Sequence, residues 1–284
     1  MAILDGKALA AKIQSKIKLE VQSIVKQTGK APGLAALRVG KNEASRIYVN
    51  RKAKACAEVG IYSRKVELPL DLSQESLMEE VERLNSDSLI HGILVQLPLP
   101  DHMATDKILE KLKVEKDVDG FHVVNAGKLI LGQKGLVPCT PLGIIRLLDE
   151  HQISIEGAKA VVVGRSNIVG KPVAHLLLHR NATVTICHSR TKDLKTECQS
   201  ADILIAAIGK TEMIRGDWVK RGACVIDVGI NRKEDGSLVG DVQFKEAMAR
   251  AKWITPVPGG VGPLTIAMLL SNTLEAAKAQ MGVL

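Results

Sequence analysis

Four polar side chains within the first 120 residues have the types and spacing of a catalytic site. Tyr48 and Lys52 stand four positions apart on a predicted helix, so they share one face. Gln96 interrupts an apolar run at its carboxyl end, the edge where open α/β sheets bind ligands, and Asp119 precedes Gly120 in a turn. A lysine held by a neutral amide can transfer a proton, a tyrosine ring can stack on a heterocycle, and a carboxylate can accept hydrogen bonds from an amino-substituted ring.

Each of these positions also has a simpler explanation. Tyr48 and Lys52 fit a solvent-facing helix, because exposed lysine is ordinary. Gln96 could satisfy backbone groups locally, and Asp119 could serve only a turn in which Gly120 supplies a positive φ. Taken together, the four residues favour a site.

A second feature is a glycine-bounded loop between a predicted strand and a predicted helix. The β-branched run 161–163 ends at Gly164, and Gly170 and Pro172 precede an apolar helical pattern. This arrangement directs a helix N-terminus and backbone N–H groups at a phosphate. The G-x5-G spacing differs from the usual dinucleotide fingerprint, so an ordinary strand-to-helix turn is the alternative.

The residues after the next predicted strand bear on which dinucleotide would bind. A carboxylate there would accept the ribose 2′-hydroxyl of NAD, whereas arginine suits the 2′-phosphate of NADP. The chain instead has Ser189, Arg190 and other polar residues within 188–192, and Arg165 follows the first glycine. This pattern predicts NADP rather than NAD, with a solvated basic turn as the alternative.

A third stretch, residues 255–265, sets three glycines between prolines. Gly259 and Gly260 would let backbone approach a ligand closely, and Pro263 fits the first turn of a helix. The alternative is a rigid connector between a strand and a helix.

Strands that alternate with helices position these residues and predict α/β architecture with parallel sheets. In the first lobe we expect strands at 34–39, 62–68 and 90–97, and helices at 7–27, 41–60, 73–85 and 105–112. Residues 117–138 are expected to be irregular, with a helix starting at Thr140–Pro141, strands at 160–164, 183–188, 202–208, 224–228 and 252–256, and a last helix at 264–281. The predicted fold is two α/β lobes separated by a cleft: a catalytic domain of residues 1–139 plus 270–284, and a Rossmann-type dinucleotide-binding domain of residues 140–269.

The composition restricts the function classes. Lys and Arg exceed Asp and Glu by 39 − 31 = 8, and the charge is spread along the chain. With only 2% aromatic residues, this favours a small anionic ligand over nucleic acid. The five cysteines form no C-x-x-C pair and the seven histidines show no ligand spacing, so we expect reduced thiols, no metal site and a cytoplasmic protein. No signal peptide or membrane segment is expected.

Six blocks of the sequence, in this order and spacing, resemble the bifunctional methylenetetrahydrofolate dehydrogenase/cyclohydrolase enzymes of the FolD type. They cover essentially the whole chain, and their residues are 39–52, 92–100, 116–120, 138–141, 164–170 and 256–263. One rival remains from the residues alone, a monofunctional NADP-dependent dehydrogenase of a small hydroxy or keto acid. That rival predicts an Arg or Lys clamp for a carboxylate in the first lobe.

The resemblance implies NADP-dependent oxidation of 5,10-methylenetetrahydrofolate to the 5,10-methenyl form, followed by hydrolysis to 10-formyltetrahydrofolate. It implies that Lys52 is the catalytic lysine, that Tyr48 stacks on the folate, that Gln96 tunes the lysine, and that Asp119 holds the pterin. It also implies a metal-independent homodimer that associates through its cofactor domains. The expected NADP-binding residues are Gly164, Arg165, Ser166, Ile168, Val169, Ser189, Arg190 and Ile230. The expected tetrahydrofolate-binding residues are Tyr48, Lys52, Val95, Gln96, Leu97, Asp119, Pro258, Gly259, Gly260 and Thr265.

Overall fold

The structure is a computed structural model that describes residues 2–283, apart from the side chain of Ala44. Its described residues form two compact units. The three-strand unit comprises those within Lys12–Cys139 and Ile266–Leu284. The six-strand unit comprises those within Met1–Ala11 and Thr140–Thr265.

The elements alternate between strand and helix over most of the chain. The strands are β1 (Ala2–Ile3), β2 (Gly33–Val39), β3 (Tyr62–Leu68), β4 (Gly92–Val95), β5 (Lys159–Val163), β6 (Thr183–Cys187), β7 (Ile203–Ala206), β8 (Cys224–Asp227), β9 (Asn231–Arg232), β10 (Leu238–Val239) and β11 (Trp253–Ile254). The α-helices are α1 (Gly6–Thr28), α2 (Glu43–Val59), α3 (Gln74–Ser86), α4 (Thr105–Glu110), α5 (Val123–Ile130), α6 (Cys139–Glu150), α7 (Gly170–His179), α8 (Leu194–Ser200), α9 (Phe244–Met248) and α10 (Val261–Met281). Short 3₁₀ turns lie at Val114–Lys116 and Gly216–Trp218.

In the described part of the three-strand unit, one parallel sheet has the order β3-β2-β4. Every residue of the central β2 is buried, as expected of a strand in the middle of an α/β sheet. The predicted strand at 62–68 is confirmed. β4 is shorter than the predicted 90–97, because Pro98 lacks an N–H and the Gln96 N–H donates the last bond of this edge, to Leu37 O at 2.8 Å.

In the described part of the six-strand unit, a parallel sheet has the order β1-β11-β8-β7-β5-β6. The five strands predicted for this lobe are confirmed in place, although β11 is only two residues long. β1 pairs with β11, with Ile3 opposite Ile254, so the first residues lie in this unit rather than with the rest of 1–139. A two-residue strand carries no periodic pattern, which is why the sequence did not indicate it.

The prediction that residues 117–138 are irregular was wrong for Val123–Ile130. They contain α5, which begins because the His122 side chain accepts a hydrogen bond from Val124 N at 3.1 Å. Asp117 supports the same turn: its Oδ2 accepts from His122 N at 2.8 Å and from Asn125 Nδ2 at 2.9 Å. The glycines in the segment suggested a loop, whereas the helix depends on this buried carboxylate.

The predicted start of α6 was also wrong by one residue. α6 begins at Cys139, so Thr140 and Pro141 lie in its first turn, and Thr140 Oγ1 shares a hydrogen bond of 2.8 Å with Thr265 Oγ1 instead of capping the helix. The last helix begins at Val261, earlier than predicted, and Pro263 lies in its first turn as expected. Over the described chain, no helix is both long and apolar enough for a membrane crossing.

Candidate active site

Lys52 occupies a buried position in α2. The helix starts where the Asn42 side chain accepts a hydrogen bond from Ser45 N, and it ends at Gly60, whose φ of 84° is left-handed. Lys52 is only 8% exposed, whereas Tyr48, one turn earlier, is partly buried. A buried lysine is rare unless it has a partner, so the solvent-facing alternative does not describe Lys52.

The partner of Lys52 is Gln96, which directly follows β4. Lys52 Nζ donates a hydrogen bond of 2.9 Å to Gln96 Oε1. The Gln96 Nε2 group donates to Leu97 O at 2.8 Å. Because Lys52 Nζ is the donor of this bond, the amide turns its oxygen toward Lys52, and the bond to Leu97 O holds it in that orientation. The pair therefore fixes the amine without adding a negative charge.

Asp119 is a carboxyl group near Lys52 whose pKa is raised by its surroundings. Burial raises its pKa to about 6; the positive charge of Lys52 opposes that rise and the negative charge of Asp117 adds to it. Cys139 Sγ lies 3.8 Å from Asp119 Oδ1. Perturbed carboxyl groups of this kind are typical of functional sites. Tyr48, Lys52, Val95, Gln96, Leu97 and Asp119 all lie in the three-strand unit.

The loop from Gly164 to Gly170 joins β5 to α7 in the six-strand unit. Gly164 has a φ of +132°, and a Cβ there would collide with the carbonyl oxygen of Ala207. A Cβ on Gly170 would collide with the carbonyl oxygen of Gly164. Ser166 Oγ accepts hydrogen bonds from Val169 N at 3.2 Å and Gly170 N at 3.3 Å. Only glycine fits both ends of this loop, which therefore exposes backbone at the start of α7.

The side chains of this loop and of the next one suit an anion. Arg165, Ser166 and Ile168 are exposed, as are Ser189 and Arg190 after β6. Gly164 N donates to Cys187 O at 2.9 Å, so the two loops leave neighbouring parallel strands at the same sheet edge. Among the described residues, neither Arg165 nor Arg190 forms an ion pair, which leaves both guanidinium groups available for a phosphate. These residues fit NADP.

The remaining candidates lie at the carboxyl ends of β8 and β11, which are neighbours. Ile230 is 47% exposed, and a Cβ on Gly262 would lie 3.4 Å from its Cδ1. Gly259 has a φ of +110°, and its carbonyl accepts a hydrogen bond from Lys7 N at 3.0 Å. The six-strand unit thus contains Pro258, Gly259, Gly260 and Thr265 together with the expected cofactor residues. Their ligand contacts stay predictions.

Two family models match the chain in succession. The catalytic-domain model of tetrahydrofolate dehydrogenase/cyclohydrolase matches residues 4–119, and the NAD(P)-binding-domain model of the same family matches residues 138–281. Together they cover most of the sequence. The chain belongs to the tetrahydrofolate dehydrogenase/cyclohydrolase family.

Relatives within this family are similar over their full length. The bifunctional protein FolD of Moorella thermoacetica is 59% identical over 276 residues, which cover 97% of this chain and 98% of that protein. A crystal structure of the bifunctional enzyme FolD from Campylobacter jejuni is 51% identical, with a TM-score of 0.97 over 98% of this chain and 99% of that one. The Trypanosoma brucei enzyme, solved with NADP cofactor and an inhibitor, is 43% identical, with a TM-score of 0.95 over 99% and 98%.

In this member of the tetrahydrofolate dehydrogenase/cyclohydrolase family, the structure adds three residues that the sequence did not single out. Asp117 is fully buried beneath the turn of Asp119. Asn272 Nδ2 donates to Val118 O and Val137 O, both at 2.8 Å, and Cys139 Sγ donates to Val118 O at 3.3 Å. Burial, and next the charge of Asp119, raises the pKa of the Cys139 thiol, which therefore stays protonated and donates. The signal available for Asn272 was an amide inside an apolar helical stretch.

Proposed function

We propose that the chain is a bifunctional enzyme of one-carbon metabolism. It oxidises 5,10-methylenetetrahydrofolate to 5,10-methenyltetrahydrofolate with NADP and hydrolyses the product to 10-formyltetrahydrofolate. The observation that carries the proposal is the buried Lys52 amine, hydrogen-bonded to the neutral Gln96 amide, in a chain that the family models cover almost completely. Relatives that share more than half of their residues with this chain are named bifunctional enzymes, which supports both activities.

In the first reaction the protein mainly positions the substrate. NADP+, when bound, accepts a hydride from the methylene carbon between N5 and N10 of the folate. Tyr48 orients the folate by stacking, and Asp119 holds the pterin by accepting hydrogen bonds. Lys52 fixes the position of the reacting carbon. Holding two reactants in a productive geometry supplies a large part of such a rate enhancement.

In the second reaction Lys52 moves protons. Water adds to the methenyl carbon, and one of its protons passes to Lys52 Nζ in the neutral form of the amine. That proton then reaches N5 as the bond between the carbon and N5 breaks. The remaining hydroxyl proton passes to Lys52 and on to solvent, which leaves the formyl group on N10. Gln96 keeps the amine directed at this carbon because its own amide is held by Leu97 O.

The cofactor residues favour NADP over NAD. Arg190 and Arg165 are exposed and not ion-paired within the described chain, and no carboxylate lies within 188–192 to accept a 2′-hydroxyl. The proposed contacts are the 2′-phosphate with Ser189 and Arg190, and the pyrophosphate with Gly164, Arg165, Ser166, Ile168 and Val169. Ile230 would contact the nicotinamide end. The proposed functional boundaries follow the two units, with residues 12–139 and 266–283 for folate and residues 2–11 and 140–265 for NADP.

A homodimer joined through the six-strand units is part of the proposal. β6 is an edge strand of the sheet, its sequence lacks the Lys or Pro that usually protects an edge, and Ile186 is 40% exposed. Leu178 on the adjacent α7 is 54% exposed. A second copy of β6 would cover both. The buried, unpaired thiols of all five cysteines accord with a reducing cytoplasm.

The rival dehydrogenase of a hydroxy or keto acid requires a free cation in the three-strand unit. Apart from Lys52, the buried cations in the described part of that unit are Arg38 and Lys116. Arg38 pairs with Glu67 at 2.9 Å and also donates to Gly40 O, while Lys116 Nζ donates to the carbonyl oxygens of Leu84 and Asp87. Neither buried cation is available as a carboxylate clamp, which counts against this rival, and the family of the chain favours the folate reaction.

The direct test is a time course with 5,10-methylenetetrahydrofolate. With NADP, the absorbance of the methenyl product should rise and then decay as the formyl product forms. The same mixture without a dinucleotide is the control and should show no rise. Lack of any NADP-dependent methenyl signal would contradict the proposed function.

A further inference from the structure

Two buried carboxylates in the six-strand unit have no role in the chemistry proposed so far. Asp227 ends β8 and is 4% exposed, and Asp241 follows β10 and is fully buried. Within the described residues, neither forms an ion pair with a Lys, Arg or His side chain. Burying a carboxylate without a cation is unfavourable, and backbone N–H donors are its main compensation.

Asp241 holds the loop that follows β7. Its Oδ2 accepts hydrogen bonds from Ile208 N at 2.6 Å and Gly209 N at 2.9 Å, and its Oδ1 accepts from Lys210 N at 2.9 Å. The Nδ2 group of Asn231, which begins β9, also donates to Oδ1 at 2.9 Å. One carboxylate thus fixes three consecutive backbone amides and a side chain of a second loop.

Asp227 holds Asp241 in turn. Its Oδ1 accepts from Asp241 N at 2.9 Å and Gly229 N at 3.0 Å, and its Oδ2 accepts from Val242 N at 2.9 Å. A Cβ on Gly229 would collide with the Asp241 carboxylate, and one on Gly240 with that of Asp227. Burial, opposed by these amides and reinforced by the charge of Asp241, raises the pKa of Asp227 to about 7.

The loops after β7 and β8, whose backbone amides bind Asp241 and Asp227, lie at the carboxyl edge of the sheet. A dinucleotide bound to a sheet of this kind lies across that edge. The strand order β8-β7-β5-β6 places the loops after β7 and β8 on one side of the Gly164 loop and Arg190 on the other. If Arg190 takes the adenosine 2′-phosphate, the nicotinamide end extends toward β7 and β8. Exposed Ile230 lies there, between Gly229, which Asp227 holds, and Asn231, which Asp241 holds.

We propose that Asp241, supported by Asp227, is a positioning residue for hydride transfer. It fixes the 208–210 loop and the Ile230 segment against the nicotinamide end of NADP. This inference rests on the proposed function and extends it, because it separates the two reactions. Hydride transfer requires the nicotinamide in place, whereas hydrolysis of methenyltetrahydrofolate does not.

The test uses Asp241→Asn in the full-length protein, with each reaction assayed from its own substrate. An Asn side chain turns N–H groups toward backbone donors on one side, so half of the contacts are lost. We expect kcat/KM for the NADP-dependent oxidation to fall about tenfold and hydrolysis of supplied methenyltetrahydrofolate to change less than about twofold. Asp235→Asn, at an exposed carboxylate in the β9–β10 turn, is the matched control and should leave both rates unchanged.

Three outcomes would overturn the inference: an equal fall in both reactions, no change in either, or a fall confined to hydrolysis. If Asp241→Asn does not fold, Asn231→Ala removes one donor and should lower only the oxidation, about threefold. The wild-type protein is measured first, since absence of both reactions there counts against the proposed function. In that case NADP titration decides the inference: weaker binding to Asp241→Asn than to wild type supports it, and equal binding overturns it.

Discussion

The candidate residues of the two units are built into the fold in different ways. In the three-strand unit, the important groups are side chains on regular elements: Lys52 within α2 and Gln96 at the end of β4, joined by one hydrogen bond. In the six-strand unit, they are glycines and exposed cations on loops, such as Gly164 and Arg190. The residues of the three-strand unit are suited to moving protons, and those of the six-strand unit to binding phosphates.

Because of this difference, we expect substitutions in the two units to affect different properties, catalysis in one and cofactor affinity in the other. A buried amine with a single side-chain partner loses its chemistry when it is replaced, whereas a phosphate loop loses affinity when its backbone is displaced. The two reactions of the proposed enzyme report on the two sets of residues separately, because only the oxidation uses a dinucleotide.

The largest effect is expected for Lys52→Met. It removes the proton carrier while it preserves much of the side-chain volume, so hydrolysis should be abolished and oxidation should fall by roughly a thousandfold or more. NADP binding, measured by titration, should be unchanged. Lys54→Met is the control, because the Lys54 side chain is 80% exposed on the same helix. Full turnover of both reactions by Lys52→Met would remove this residue from the mechanism.

The second-largest effect is expected for Gly164→Ala. The added Cβ meets the carbonyl oxygen of Ala207 at a φ that alanine rarely adopts, so the loop must move. We expect NADP affinity to fall about a hundredfold, with hydrolysis of supplied methenyltetrahydrofolate retained. Gly127→Ala provides the control, since nothing lies within 4 Å of the added Cβ there. Unchanged NADP binding by Gly164→Ala would contradict the placement of the cofactor.

Arg190→Ala should have an intermediate effect that depends on the cofactor. Loss of a charge-assisted contact to the 2′-phosphate should raise KM for NADP about thirtyfold and leave KM for NAD nearly unchanged. NAD, tested with the same variant, is the internal control. Equal losses with both cofactors would argue against a 2′-phosphate contact.

The smallest effect concerns pH and Asp119. Its pKa of about 6 lies above the ordinary 3.8, so the carboxyl becomes protonated as pH falls below 6 and loses one accepting oxygen. KM for the folate should rise about fivefold between pH 7 and pH 5. The Asp119→Asn variant should have a higher KM for the folate than the wild type at pH 7, and this KM should change less between pH 7 and pH 5. A wild-type KM that does not change with pH would contradict the proposed pterin contact.

The raised pKa of Asp119 also makes the free energy of unfolding depend on pH. Because the pKa of Asp119 in the folded protein is raised, the folded state binds more protons than the unfolded chain between about pH 4 and 6. This group therefore contributes stability at low pH that is lost as pH rises through 6. The pKa of Asp227, raised to about 7 by burial, acts in the same direction over a window that extends to about pH 7.

Local patterns allowed much of the fold and part of the site to be predicted. Lys52 and Tyr48 follow from helical spacing, and Gln96 stands out as a polar residue at the end of an apolar strand. Gly164 and Gly170 mark the turn from β5 to α7 for the same local reason.

The parts that escaped prediction depend on contacts between distant residues. Asn272 forms a hydrogen bond with Val118, which is 154 positions away in the sequence. Asp241 forms one with Ile208, which is 33 positions away. α5 forms because a buried carboxylate, Asp117, holds its first turn, which no periodicity reveals. Such polar contacts are set by the tertiary fold rather than by local propensity.

The most direct test separates proton transfer by Lys52 from cofactor binding by the Gly164 loop. It measures the hydrolysis of methenyltetrahydrofolate without NADP for Lys52→Met and Gly164→Ala in parallel. We predict that Lys52→Met loses this reaction and that Gly164→Ala retains it at close to the wild-type rate. Loss of hydrolysis in Gly164→Ala together with its retention in Lys52→Met would show that these roles are assigned wrongly.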